Sequence, residues 1–402
     1  MNLFVNPQRA PDRCPPAELA ALIDEKRMEE AFREIITWPD YRPTPLRALS
    51  SFARLHGLGE VLYKDESDRF GLGSFKALGG AYAVFRVLQR VAASQTGNSN
   101  LSYADLRSGE LADVVRRVTV CCATDGNHGR AVAWAARQFG CECVVFLHER
   151  VSAARAGAIA RLGARIERVS GNYDDSVMCA ARAAQLNGWH LVSDTSHAGG
   201  AEAPLNVMTG YTVMVREIVL QLRGRNPPTH VFVQAGVGGL AAAVVAALWC
   251  GFGAELPAIV VVEPERADCL LRSARAGMPV KVQGQLDTVM AGLACGEVSP
   301  VAWSILERSA SHFMTIPDEQ ALSMMRALAT AEYGDPPLVC GESAVAGIAA
   351  LALATRTSGV AAALGLTPSS RILVFGTEGD TDPELFAAVT GTTAAAIRSL
   401  QN

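Results

Sequence analysis

The chain has 402 residues, 50% hydrophobic and 19% charged, with a formal net charge of −4. That composition supports a sizeable core in two domains or one, and the absence of a long Lys/Arg run argues against nucleic-acid binding. No apolar stretch approaches the roughly 20 residues of a membrane span, and Met1-Asn2-Leu3-Phe4 lacks the basic-then-apolar pattern of a signal peptide, so a cytoplasmic protein is expected.

Residues 1 to 43 read as an N-terminal arm, with a polar helix from near Pro16 through Arg33. Tyr41-Arg42-Pro43-Thr44-Pro45 is rigid and extended, because each proline restrains itself and the residue before it. A short helix is predicted over Leu46 to Leu55 and a strand over Glu60 to Lys64, with Lys64, Asp65 and Glu66 as a solvated strand end. A glycine-rich loop follows, then a helix from Phe75 to Val91. Gln95 to Asp105 is polar and reads as a surface excursion.

Strand-helix units come next. Val118 to Ala123, Cys143 to Leu147, Arg165 to Val169 and Trp189 to Val192 read as strands; Gly129 to Phe139, Ala153 to Leu162 and Tyr173 to Asn187 read as the helices between them. A long helix covers Val207 to Leu222. Thr229 to Gln234 is a strand ending in Ala235-Gly236-Val237-Gly238-Gly239, followed by an Ala-rich helix to Leu248. Ala258 to Val262 is a strand, Asp318 to Ala331 and Ser343 to Ala354 are helices, and Arg371 to Phe375 is the last strand. This alternation predicts an α/β fold with parallel sheets and helical crossovers.

Active groups of open α/β sheets gather beyond the carboxyl ends of strands. The polar clusters at 124–129, 194–197, 235–239 and 376–382 all fall at such ends. Their distribution argues for one composite site.

Cys121-Cys122 and Cys141/Cys143 lie in or beside apolar strand-like runs, the setting of buried, reduced thiols. No CxxC pair occurs among the ten cysteines and the histidines show no metal-ligand spacing, so no metal is expected. Cys269 and Cys295 can be neighbours in space, but spacing does not establish a disulfide.

Lys76 follows the turn Gly71-Leu72-Gly73-Ser74-Phe75. Read alone it is a surface lysine; a neutral lysine amine is also the group that forms a Schiff base with pyridoxal phosphate. Gly236-Val237-Gly238-Gly239 lies between a strand and a helix, where backbone amides and the helix end can close around a phosphate, or where a tight turn simply needs glycine. The spacing lacks the dinucleotide pattern, which favours a single phosphate. Thr124-Asp125-Gly126-Asn127-His128 is dense in donors and acceptors. It is either a capping loop or a ligand loop, with Asn127 on the cofactor's phenolic oxygen, Thr124 on a substrate carboxylate and His128 close by. Asp194-Thr195-Ser196-His197 is a second loop of this kind, and Asp125 and Asp194 would divide acid and base duties if they converged. Thr377 follows the last strand; a hydroxyl facing a pyridine nitrogen leaves that nitrogen largely unprotonated, a weak electron sink suited to elimination. Glu342, in Gly341-Glu342-Ser343, caps a helix or lines the site.

Together these segments resemble the fold-type II pyridoxal phosphate enzymes, the tryptophan synthase β-chain-like group. The lysine motif is Ser74-Phe75-Lys76, the asparagine loop Gly126-Asn127-His128-Gly129 and the phosphate loop Gly236-Val237-Gly238-Gly239. Within the group the likeness is greatest to the diaminopropionate ammonia-lyases. It is carried by Lys64-Asp65-Glu66-Ser67, Phe70 to Gly80, Ala123 to Arg130, Asp194-Thr195, Gly341-Glu342-Ser343 and Glu378-Gly379-Asp380-Thr381-Asp382.

The resemblance implies a homodimer whose subunit has two domains, each with a mainly parallel sheet flanked by helices. Residues 1–78 and 216–402 would form the larger, cofactor-binding domain and 79–215 the smaller one. It implies conversion of D- and L-2,3-diaminopropionate with water to pyruvate and two ammonia. Lys76 would hold the cofactor and take the α-proton of the L isomer, and Asp125 that of the D isomer. Asp194 would recognise or protonate the leaving β-amine; Asn127 would contact the ring oxygen, Gly236 to Gly239 the phosphate, and Thr377 the pyridine nitrogen. After Thr195 the family carries a stretch resembling Trp-Glu-Gly-Tyr, whereas this chain reads Ser196-His197-Ala198-Gly199-Gly200-Ala201-Glu202-Ala203-Pro204, which implies a smaller or shifted pocket wall. The alternatives are a related eliminase or dehydratase of serine, threonine or hydroxyaspartate, and a non-catalytic ligand-binding homologue.

Overall fold

The computed structural model describes residues 1–9, 23–124, 126–149, 151–196, 200–253, 256–284 and 286–400. In chain order its strands are β1 (Leu3–Val5), β2 (Leu46–Ala48), β3 (Glu60–Asp65), β4 (Thr119–Ala123), β5 (Glu142–His148), β6 (Arg165–Val169), β7 (His190–Leu191), β8 (His230–Gln234), β9 (Ala258–Pro264), β10 (His312–Ile316) and β11 (Arg371–Gly376). They divide between two compact units. One contains Met1–Ala21, Pro43–Phe75 and Met214–Asn402; the other contains Leu22–Arg42 and Lys76–Val213.

The first unit holds a seven-stranded sheet in the order β1-β10-β9-β8-β11-β3-β2. Its interior strands are parallel, and the short edge strands β1 and β2 run antiparallel to their neighbours. The central strands read as unbroken apolar runs because both faces are covered: Val231 to Val233, Ile259 to Val262 and Ile372 to Phe375 are all buried. The chain leaves β8 for β9 and β10 on one side, while β11 lies on the other. The carboxyl ends of β8 and β11 therefore flank a topological switch point, the usual ligand position in an open parallel sheet.

Beside β3 lies a buried charge cluster. Lys64 Nζ meets Glu217 Oε2 at 2.7 Å, Arg69 meets Glu217 and Glu66 at 2.7 Å each, and the Thr44 hydroxyl donates to Glu66 at 2.5 Å. This corrects the expectation of a solvated strand end: Lys64 and Glu66 are fully buried and Asp65 nearly so. Charges there are tolerated because each finds an opposite partner.

The second unit holds a four-stranded parallel sheet, β6-β5-β4-β7. Here too the order reverses: the chain moves from β4 outward through β5 and β6, then returns to place β7 on the other side of β4. The loops after β4 and β7 thus emerge side by side. The helix Lys76–Thr96 carries Gly79-Gly80 in its first turns, at a propensity cost of about 1 kcal/mol each relative to alanine. Close packing explains both. A Cβ on Gly79 would sit 2.4 Å from the Tyr211 ring, and one on Gly80 2.7 Å from Ala131 Cβ.

Residues 22–42 belong to this second unit rather than to the larger ranges expected from sequence. The helix Glu25–Ile35, N-capped by Asp24, buries Met28, Ala31 and Ile35, and Trp38 packs on Phe85 and Tyr103. Other boundaries also differ. Leu46–Ala48 is a strand, not the start of a helix, because it pairs antiparallel with β3. The expected helix from Pro16 begins at Glu25, residues 16–22 lying outside the described residues. The helix Glu202–Gln221 starts before Val207. Among the described residues no helix is long and apolar enough to cross a membrane.

Candidate active site

Lys76 is the first residue of its helix, and its Nζ donates to Asp194 Oδ2 at 2.6 Å. Asp194 stands beyond β7, and its other oxygen accepts the Tyr173 hydroxyl at 3.1 Å. Burial alone would raise the Asp194 carboxyl. The Lys76 charge outweighs it, helped by the hydrogen bonds from Lys76 and Tyr173, and the group lies well below the usual carboxylate range. The Tyr211 ring lies 5.8 Å from Lys76 Nζ, and burial raises its phenol.

His128 is buried, and its Nε2 lies 2.8 Å from the Val192 carbonyl. A carbonyl only accepts, so Nε2 carries the proton and Nδ1 is bare. Burial lowers the imidazole pKa, against the pull of Asp194, and the ring is neutral. It joins the helix Asn127–Phe139 to the end of β7. Thr124, 2% exposed, accepts the amides of Gly126 and Gly129 at 2.9 and 3.1 Å. The threonine thereby supports the helix start, and among the described residues its own proton meets no acceptor. Gly126 has φ 148° and ψ −71°, a conformation open to glycine. Asn127 opens the helix. Asp125 lies outside the described residues, as do His197 to Gly199 of the altered stretch.

In the first unit, Gly236 to Gly239 form the turn from β8 into the helix Gly239–Phe252. Gly238 has φ 99° at the N-cap, and no side chain caps this helix. Its first amides and positive end suit a phosphate. A Cβ on Gly236 would meet the Cys295 sulfur at 2.8 Å, and the Cys269 thiol reaches the Gly236 carbonyl at 3.6 Å. Both cysteines are free thiols.

Thr377 follows β11 and is 4% exposed. Its Oγ1 accepts from Gln234 Nε2 at 2.9 Å. Glu342 is buried in the turn before the helix Ala346–Arg356. That turn is tied to Glu378, which accepts the Ser343 amide at 3.3 Å and the Thr381 hydroxyl at 3.0 Å.

Each unit carries features that fit parts of pyridoxal phosphate. Lys76 supplies an amine, the uncapped helix start a phosphate seat, and Thr377 a buried hydroxyl whose proton has no acceptor among the described residues. Tyr173 and Gln234 escaped the sequence reading. Tyr173 was visible only as a helix start; Gln234 carried a faint signal, a polar residue closing the apolar strand His230-Val231-Phe232-Val233.

Comparison with known proteins agrees with this geometry. A family model described as "Pyridoxal-phosphate dependent enzyme" matches residues 37–368. Diaminopropionate ammonia-lyase of Escherichia coli (strain K12) is 39% identical over 353 residues, covering 87% of this chain and 87% of that protein. A crystal structure of the Escherichia coli lyase in complex with an aminoacrylate-PLP azomethine reaction intermediate superposes with a TM-score of 0.86 at 35% identity, covering 97% of this chain and 96% of that one. A second, in complex with D-serine, gives 0.87 at 36% identity with the same coverage.

Proposed function

The chain belongs to the pyridoxal-phosphate-dependent enzymes, and from that premise we propose that it is a diaminopropionate ammonia-lyase. It converts 2,3-diaminopropionate of either configuration, with water, to pyruvate and two ammonia by α,β-elimination. The observation that carries the reading is the Lys76–Asp194–Tyr173 constellation: an amine with a part-buried carboxylate 2.6 Å away, itself oriented by a phenol.

When bound, pyridoxal phosphate supplies the electron sink that acidifies the substrate's α-carbon. Lys76 would hold its aldehyde carbon, Asn127 its ring oxygen, the Gly236–Gly239 turn its phosphate and Thr377 its ring nitrogen. The Lys76 amine, in its neutral form, would take the α-proton of the L isomer. Asp125 takes it from the D isomer. The strong acidity of Asp194 depends first on the Lys76 charge. As an ionised carboxylate, Asp194 attracts the substrate's β-ammonium. When the lysine charge is withdrawn, burial raises its carboxyl, so that a proton it takes from that β-ammonium can be returned to the amine as it departs. Tyr173 holds the carboxylate in place through both stages. A homodimer and a cytoplasmic location belong to the same reading; the free thiols among the described cysteines support the second.

A substrate panel on the purified holoenzyme tests this. D- and L-diaminopropionate should each yield two ammonia per pyruvate, faster than serine, threonine or hydroxyaspartate yields one. Robust turnover of a hydroxyamino acid with none of either diaminopropionate isomer would overturn the assignment.

A further inference from the structure

Gln234 ends β8, is 1% exposed, and is used by no step above. Its Nε2 faces three oxygens: the Phe375 carbonyl at 2.8 Å, the Ala344 carbonyl at 2.9 Å and Thr377 Oγ1 at 2.9 Å. Its Oε1 meets no donor among the described residues and lies against Gly347, where a Cβ would stand 3.2 Å away. Two backbone carbonyls decide which end of the amide is which. Turning the group over would aim Oε1 at two acceptors and lose both bonds.

The consequence falls on Thr377. A hydroxyl has one proton and two lone pairs, and an amide nitrogen accepts nothing. Thr377 Oγ1 must therefore turn a lone pair toward Gln234 and point its proton elsewhere. Among the described residues no side chain or carbonyl takes that proton. Rotating the hydroxyl to accept a ring N–H would leave a buried proton without a partner, which is costly.

We propose that Gln234 is a positioning residue, one that holds the Thr377 hydroxyl as a donor and so keeps the cofactor's pyridine nitrogen an unprotonated acceptor. The inference rests on the reading that Thr377 meets that nitrogen. An unprotonated ring is a weaker electron sink, sufficient when the negative charge is discharged at once by loss of a β-substituent. Gln234 thus biases the site toward elimination without touching substrate or cofactor.

The test is the ¹⁵N resonance of ring-labelled pyridoxal phosphate in the resting holoenzyme. The wild-type nitrogen should resonate as an unprotonated, hydrogen-bonded pyridine, unmoved between pH 6 and 9. In Gln234→Met the Thr377 lone pair loses the donor that oriented it, and the hydroxyl is free to rotate away from the ring nitrogen. The resonance should then shift downfield toward free pyridine, as in Thr377→Val, with no further shift in the double variant. Thr377→Ser should keep the wild-type position. With the hydrogen bond lost, kcat should fall about 3- to 10-fold while KM stays within about two-fold. If Gln234→Met does not fold, Gln234→Asn withdraws the amide by one methylene and should give the same shift. A protonated wild-type nitrogen, or a resonance unmoved in folded Gln234 variants while Thr377→Val moves, overturns the proposal and leaves the enzyme assignment standing. Failure of the wild-type protein to bind the cofactor through Lys76 overturns both.

Discussion

The Phe75 amide donates to the Thr377 carbonyl at 3.0 Å. Gly379 donates to the Gly73 carbonyl at 2.9 Å, and Ser74 bridges to Glu378 in antiparallel fashion. A short backbone ladder therefore locks the segment that ends just before Lys76 to the segment that carries Thr377. The register is set by backbone groups, so side-chain substitutions there should disturb it little and backbone-displacing ones a great deal.

Gly376 is the sharpest case. A Cβ there would lie 1.9 Å from the Tyr63 hydroxyl oxygen and 2.1 Å from the ring carbon bearing it. Gly376→Ala should cost about 1–3 kcal/mol or more, read as a fall in melting temperature, together with weaker cofactor retention on dialysis. Tyr63→Leu in the same chain should recover part of both. An alanine variant as stable as wild type would show that β11 shifts freely.

Asp194→Asn keeps the shape of the side chain and removes its charge. The loss in kcat/KM for diaminopropionate should be roughly 10²-fold or more, and much smaller for D- or L-serine, whose β-hydroxyl carries no charge to attract. Steady-state kinetics on both substrates check this; equal losses would deny Asp194 a role at the β-amine.

Asp125→Asn should reduce turnover of the D isomer far more than that of the L isomer, since Lys76 remains to serve the latter. Initial rates on each pure isomer decide it. Equal reductions would defeat the assignment of two separate bases.

Glu263 offers a pH signature in stability. Burial pushes its carboxyl up to about 8, against the pull of the Leu270 and Leu271 amides that it accepts. The folded state thus binds a proton that the unfolded chain releases near 4.3. The stabilisation from this group is full below about 4.3, falls as pH rises, and is gone above the folded value of about 8. Urea unfolding from pH 5 to 8 should show this decline in the wild type and a flatter profile in Glu263→Gln.

Much of the architecture could be read from local pattern. Parallel strands covered on both faces appear as unbroken apolar runs, as at Val120 to Ala123 and Ile372 to Phe375. The glycine turn and lysine motif kept their meaning because backbone conformation and an amine at a helix start are local properties. Leu46–Ala48 was misread because three residues after a proline show no period; pairing with β3 makes them a strand. Lys64 and Glu66 were misread for the opposite reason. Their charges suggested solvent, but Lys64 pairs with Glu217, about 150 positions further along the chain, and Glu66 pairs with Arg69, which Glu217 also holds. Gln234 and Tyr173 act through contacts with residues 344, 375, 377 and 194, and no window of sequence around either one contains them.

The buried cluster of Thr44, Lys64, Glu66, Arg69 and Glu217 also bears on how the protein is made. Its members and β3 emerge early in synthesis, but Glu217 follows the whole of 76–213, and β11, the partner of β3, comes near the end. The contiguous 76–213 segment can assemble its own four-stranded sheet while the first strands wait. Glu66 and Arg69 can already pair across three positions, whereas Lys64 must wait for Glu217. The ion pairs that close the finished unit are thus completed only after residues 76–213 have been made.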